Sequence, residues 1–191
     1  MPRPQNATTT ATHVALLRGI NVGGTKKIAM GDLRDFMAAL GFDDVRSLLQ
    51  TGNLVFRSEA RTNADTEHIL ETEARKRLDL DTDFFVRDKN EWDAIIAQNP
   101  FPDEAESDPS HLIVMALNDA PDATAVSALR AAIEGPETVR SDGRQLYVVY
   151  PAGIARSRLT LKLIEERLDT RGTGRNWNTV LKIAALAATS V

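Results

Sequence analysis

The chain has no cysteine. Disulfides, thiolate metal sites and cysteine nucleophiles are thereby excluded. Histidine is scarce too. His13, His68 and His111 stand apart, with no HExxH or similar ligand spacing. Aromatic residues make up 5% of the chain. No apolar run nears the roughly 18 residues that a spanning helix requires. The opening PRPQNATTTAT lacks the apolar core of a signal peptide. It reads as a flexible tail over residues 1–12. These absences lead to the expectation of a cytoplasmic protein with no membrane partner, no metal and no cofactor.

What is present suits a globular protein. The 191 residues are 42% hydrophobic and 26% charged, enough for one large domain or two small ones. The net charge of −4 argues against a general nucleic-acid binder. Its distribution is uneven. Residues 1–58 hold seven Lys/Arg against four Asp/Glu, residues 59–150 nine against twenty, and residues 151–191 seven against three. Two basic ends flank an acidic middle, and would form a positive face if they met in space.

Patterning gives the order of elements. His13 to Arg18 is a compact apolar strand bounded by glycine. Residues 29–40 place Met30, Leu33, Phe36, Met37 and Leu40 at helical spacing, with Gly41 just beyond. VRSLLQ and LVFRS flank Thr51-Gly52-Asn53 as a hairpin. A helix over 63–79, with Asn63 or Asp65 as its cap, and a strand over 82–87 complete βαββαβ, the ferredoxin-like order. A short helix spans 89–98. Residues 99–110 hold three prolines and four acids, a linker or long loop.

The order then restarts. A strand over 111–117, a helix over 122–134 and a hairpin around Asp142-Gly143 come first. A helix over 157–168 capped by Ser157 and a last helix over 176–188 follow. The fold class is therefore α+β, with two ferredoxin-like subdomains over 13–98 and 111–191. The second is expected to be incomplete, with a terminal helix in place of its fourth strand.

ALLRGINVGGTKKI, the helix containing DLR, then GF and VRSLLQTGNLVF resemble DUF1697, a bacterial family of unknown function. GIARSRLT and GRNWNTVLKIAALA extend the resemblance over nearly the whole chain beyond the tail. Ala29 stands where the family pattern has proline, and Thr51 where it has serine. Neither departure removes a charge. The resemblance implies the two-part α+β fold and supplies no activity, cofactor or catalytic residue.

The candidate chemistry centres on the glycine loop. Gly19 and Gly24 have the spacing of a phosphate loop, but Thr25-Lys26 inverts the required Lys-Ser/Thr order. By motif, then, this is not a nucleotide-hydrolase loop. A strand–glycine–helix junction still offers backbone N–H groups and a positive helix end to an anion. Arg18, Asn21, Gly23, Gly24, Lys26 and Lys27 are the candidates there. Gln50 and Asn53 flank the hairpin turn. Arg175, Asn176 and Trp177 combine a fork, an amide and a π-face at a helix start, with Arg156, Arg158 and Lys162 nearby in sequence.

No catalytic constellation emerges. Phe56 is the one Phe, Tyr or Trp on the two strands expected at the sheet centre, which argues against RNA-recognition display. The sequence points first to binding of an anionic ligand: a nucleotide, a phosphorylated small molecule or nucleic acid. One alternative is a phosphoryl- or nucleotidyl-transfer enzyme using the same glycine loop, with Asp32 or Asp35 holding a metal. Another is a structural or partner-binding protein whose motifs only knit the two subdomains.

Overall fold

The computed structural model describes residues 10–23, 27–59 and 61–189. They divide into two compact units, residues 10–92 with 185–189 and residues 93–184. The elements of the first half are β1 (Thr10–Leu17), α1 (Met30–Ala39), β2 (Asp43–Leu48), β3 (Asn53–Glu59), α2 (Asn63–Leu78) and β4 (Phe84–Asp88). Then come α3 (Lys89–Ala97) and α4 (Pro102–Ser107). The second half holds β5 (Leu112–Leu117), α5 (Ala123–Ala131), β6 (Thr138–Asp142), β7 (Gln145–Val149), α6 (Leu161–Leu168), β8 (Gly172–Asn176) and α7 (Trp177–Ala188). The two sheets have strand orders β2-β3-β1-β4 and β6-β7-β5-β8. All pairings are antiparallel. This is the duplicated ferredoxin-like α+β fold that the element order implies.

Strand alternation selects each core. Ala15 and Leu17 of β1 join Leu54, Phe56, Phe84 and Val86 of their neighbours on the face that meets the helices. Leu33 and Met37 of α1 and Leu70 and Ala74 of α2 close that cluster. The second unit repeats the plan with Met115 and Leu117 of β5, Leu146 and Val148 of β7, and Ile164 and Leu168 of α6.

The second unit is complete, contrary to the sequence reading. Its missing fourth strand is β8, whose sequence GTGRN carries no apolar alternation to reveal it. The glycines have a packing reason. A Cβ on Gly172 would stand 2.9 Å from Leu117 Cδ2, and one on Gly174 2.9 Å from Ile113 Cγ2. The β5 side chains fold over the strand where its own side chains would be.

Smaller corrections follow the same logic. β1 begins at Thr10, pairing with Glu59, so Thr10 to Thr12 belong to the strand rather than to a tail, and residues 1–9 of that expected tail lie outside the described residues. Threonines are good strand formers even where polar. Residues 99–110 hold α4, which has proline in its first turn. Thr62 rather than Asn63 or Asp65 caps α2, accepting from Asp65 N. Thr160 caps α6, accepting from Leu163 N, so Ser157 lies outside that helix.

The edge strands β4 and β8 are protected by carboxylates from the helices. Glu67 and Glu71 of α2 accept from Val86 N at 2.7 Å and Phe84 N at 3.0 Å. Glu165 of α6 accepts from Gly172 N at 2.9 Å. Outward N–H groups that could pair with another chain are thereby occupied. Burial pushes the Glu71 carboxyl pKa upward, against the Phe84 hydrogen bond that pulls it down. Replacing Glu71 by Ala removes the acceptor of a half-buried N–H and should destabilise the protein by about 1–3 kcal/mol. Gln retains an acceptor oxygen and should recover most of the loss. Urea denaturation of both variants measures this.

His13 is buried and stacks on Phe56 with centroids 5.5 Å apart. Its Nδ1–H donates to the Ala11 carbonyl at 3.1 Å. Burial lowers its pKa, although the Ala11 bond and the carboxylates of Asp88 and Glu91 pull the other way. The unfolded chain takes up this proton near pH 6.5, the folded chain only at lower pH. The stability contributed by neutral His13 is therefore full above about pH 6.5 and is lost as pH falls through the lowered value. Denaturation midpoints should decline over that window, and His13→Phe should flatten the decline.

Candidate functional site

The site is built where β1 ends. Leu17 N donates to the Gly52 carbonyl at 2.8 Å and Arg18 N to the Asp83 carbonyl at 3.1 Å. Both neighbouring chain segments therefore hold the point where β1 gives way to the glycine loop. Gly19, Asn21 and Gly23 then take positive φ, at 63°, 54° and 64°. Glycine and asparagine enter that region at least cost.

Asn21 closes the loop on itself. Its Oδ1 accepts from Ile28 N at 2.9 Å, and its Nδ2 donates to the Ile28 carbonyl at 2.9 Å and the Gln50 carbonyl at 2.7 Å. One carboxamide thus ties both ends of the loop to the hairpin. The Asn21 side chain, a ligand candidate in the sequence, is hydrogen-bonded to backbone and also lines the adjoining hollow. Asn53 is likewise turned inward. It is buried, and its Nδ2 donates to the Leu48 carbonyl at 2.9 Å and Thr51 Oγ1 at 3.2 Å.

What remains is a shallow hollow of about 410 Å³, lined by Asn21, Lys27, Ile28, Ala29 and Gln50. Lys27 and Gln50 are exposed. Ala29 precedes α1 in an extended conformation and makes no side-chain cap. The helix therefore presents its first N–H groups without a capping oxygen. Arg18 is absent from this lining and stands 3.9 Å from Asp83. Gly23 shapes the loop, whereas Gly24 and Lys26 lie outside the described residues.

Two apolar side chains flank the hollow in sequence, and sequence reasoning missed both. Val22, next to Asn21, is 57% exposed, and Leu49, next to Gln50, is 51% exposed. Leu49 also has φ 60°, a conformation that disfavours any Cβ-bearing residue. The run Leu48-Leu49-Gln50 reads as strand, so nothing in it announces a strained, outward leucine.

The other sequence-predicted cluster lies in the second unit. Arg175 on β8 donates through Nη1 to Thr173 Oγ1 at 3.0 Å and the Gly174 carbonyl at 2.8 Å. Burial lowers its pKa to about 10. Asn176 caps α7, its Oδ1 accepting from Thr179 N at 3.0 Å. Trp177 is 5% exposed, and its backbone N–H donates to the Pro109 carbonyl at 3.1 Å. It is a packing anchor, with no open face for a base. Among the described residues, no group of three or more His, Asp or Glu is placed to hold a metal ion.

A duplicated ferredoxin-like protein with a polar hollow at one strand–helix junction is the class these features define. The family described as "Protein of unknown function (DUF1697)" matches residues 10–147, and the chain belongs to it. A solved structure, that of a conserved bacterial protein from Streptococcus pneumoniae, superposes with a TM-score of 0.74 at 24% identity. The match covers 94% of this chain and 99% of that one, and at that identity it shows the fold alone. No curated protein matches the chain. No described helix is long and apolar enough to cross a membrane.

Gly52 sets the geometry under the hollow. At φ 73°, a Cβ there would stand 2.6 Å from Ile20 Cδ1 and 2.8 Å from Leu17 Cβ. Gly52→Ala combines left-handed backbone strain with overpacking and should destabilise by roughly 2–5 kcal/mol. Gly23→Ala meets no neighbouring atom within 4 Å and should lose only the strain component. Thermal unfolding of the two variants compares these effects.

Proposed function

We propose that the first unit binds a small phosphorylated ligand at the hollow between the glycine loop and the hairpin turn. The observation that carries this reading is the juxtaposition there of Lys27, Gln50 and the uncapped start of α1. An ammonium and unspent backbone N–H groups suit a phosphate. The carboxamide of Gln50 adds a neutral donor and acceptor for a hydroxyl or a base edge. Ile28 and Ala29 in the lining supply apolar surface for the organic part of the ligand. The volume lies in the range of small-molecule sites, which favours a nucleotide or phosphosugar over a polymer. Asp32 and Asp35, the carboxylates that a phosphoryl-transfer reading requires, do not line the hollow. We take the setting to be the cytoplasm, where phosphorylated metabolites are held.

The test is a thermal-shift screen of nucleotides, phosphosugars and short oligonucleotides at two salt concentrations. A true ligand at a hundredfold excess over its Kd should raise Tm by roughly 5–10 °C. The gain should shrink with salt and vanish in Lys27→Ala/Gln50→Ala. An unchanged gain in that variant overturns the proposal, as does a panel with no stabilising member. Stabilisation confined to oligonucleotides assigns the function to nucleic acid instead.

A further inference from the structure

The second unit holds a larger cavity, of about 650 Å³, with the GIARSRLT stretch along one wall. Its walls are the turn after α5 (residues 132–137), the segment 152–159 and one side of α6. Three arginines line it: Arg156, Arg158 and Arg167. Leu163 and Arg167 are one helical turn apart, so α6 turns an apolar and a cationic residue toward the same space. Leu159, buried, and Leu163, half-buried, are the large apolar side chains of the lining.

The two carboxylates in the lining are already engaged. Glu134 accepts from Arg158 Nη1 at 2.6 Å. Glu137 accepts from Ser157 Oγ, and it lies where a Cβ on Gly135 would intrude. Ser157 Oγ in turn accepts from Leu159 N at 2.9 Å. Arg156 and Arg167 are different. Both are exposed, and neither guanidinium has a hydrogen-bond or ion-pair partner among the described residues. Two unneutralised forks therefore share one cavity with an apolar floor, while the nearby acids are turned to other partners.

The geometry points to a binding site for an organic phosphate monoester. Arg156 and Arg167 grip the dianion, and Leu159 and Leu163 take the organic group. Planar guanidinium forks match phosphate oxygens in pairs, which a point charge does not. This site is separate from the hollow of the first unit and stands whether or not that hollow binds a ligand.

The experiment titrates the full chain carrying Lys27→Ala/Gln50→Ala with phenyl phosphate, inorganic phosphate and phenol, by calorimetry. This background removes the ligand contacts proposed in the first unit. Phenyl phosphate should bind saturably and more tightly than inorganic phosphate, and phenol should not bind. Arg156→Ala and Arg167→Ala should each weaken phenyl phosphate by about tenfold or more. Arg167→Lys should weaken it as well, because charge remains and the fork is lost. Both arginines are on the surface, and circular dichroism verifies that the variants fold. No saturable binding of phenyl phosphate, or equal binding to the double Arg156→Ala/Arg167→Ala variant, overturns the proposal.

Discussion

The end of β1 is the constraint on which the first unit depends. Two backbone hydrogen bonds fix it, from Leu17 N to the Gly52 carbonyl and from Arg18 N to the Asp83 carbonyl. Past that point the chain must leave the sheet, turn through three residues of positive φ and enter α1. The second unit has the same pair, from Leu117 N to the Arg144 carbonyl at 2.8 Å and from Asn118 N to the Arg171 carbonyl at 3.0 Å. One requirement is met by Gly52 in the first unit and by Arg144 in the second. Backbone groups make both bonds, so the side chains need not correspond. This is why the two halves share an order of elements without a visible sequence repeat.

The fold was legible wherever side chains report on burial. Apolar runs in β1, β3, β5 and β7, turn dipeptides between strands and helical spacing in α1 recovered the first sheet, three strands of the second and most helices. It failed at β8, where Gly172 and Gly174 carry no side chain to alternate. It also failed at the α2 and α6 caps. Several Ser, Thr, Asn and Asp residues precede each helix, and only the backbone path decides which hydroxyl reaches the third N–H.

The site was legible as a location but less so as chemistry. The glycine turn sits at a strand–helix junction, with Lys27 and Gln50 beside it. Asn21, Asn53 and Asn176 read equally well as ligand contacts or as backbone clamps, and all three are clamps. A carboxamide has the same hydrogen-bonding groups as a peptide unit, so it can complete a turn as readily as it can hold a ligand. Trp177 illustrates the related ambiguity of an aromatic in a first helical turn, resolved here by burial. The arginine cavity of the second unit was legible only in part, because GIARSRLT supplies Arg156, Arg158 and Leu159 while its other walls come from two separated segments.

The glycines of β8 have one more consequence. A strand with glycine at two positions of its core face contributes little apolar area of its own. Its attachment rests on the ladder with β5 and on the Glu165 contact to Gly172 N. Detaching it exposes peptide groups more than hydrocarbon, so such an opening has a small denaturant slope and a small heat-capacity change. Hydrogen exchange along this edge then proceeds by local fluctuation, whereas exchange in β5 requires the core around Met115 and Leu117 to come apart.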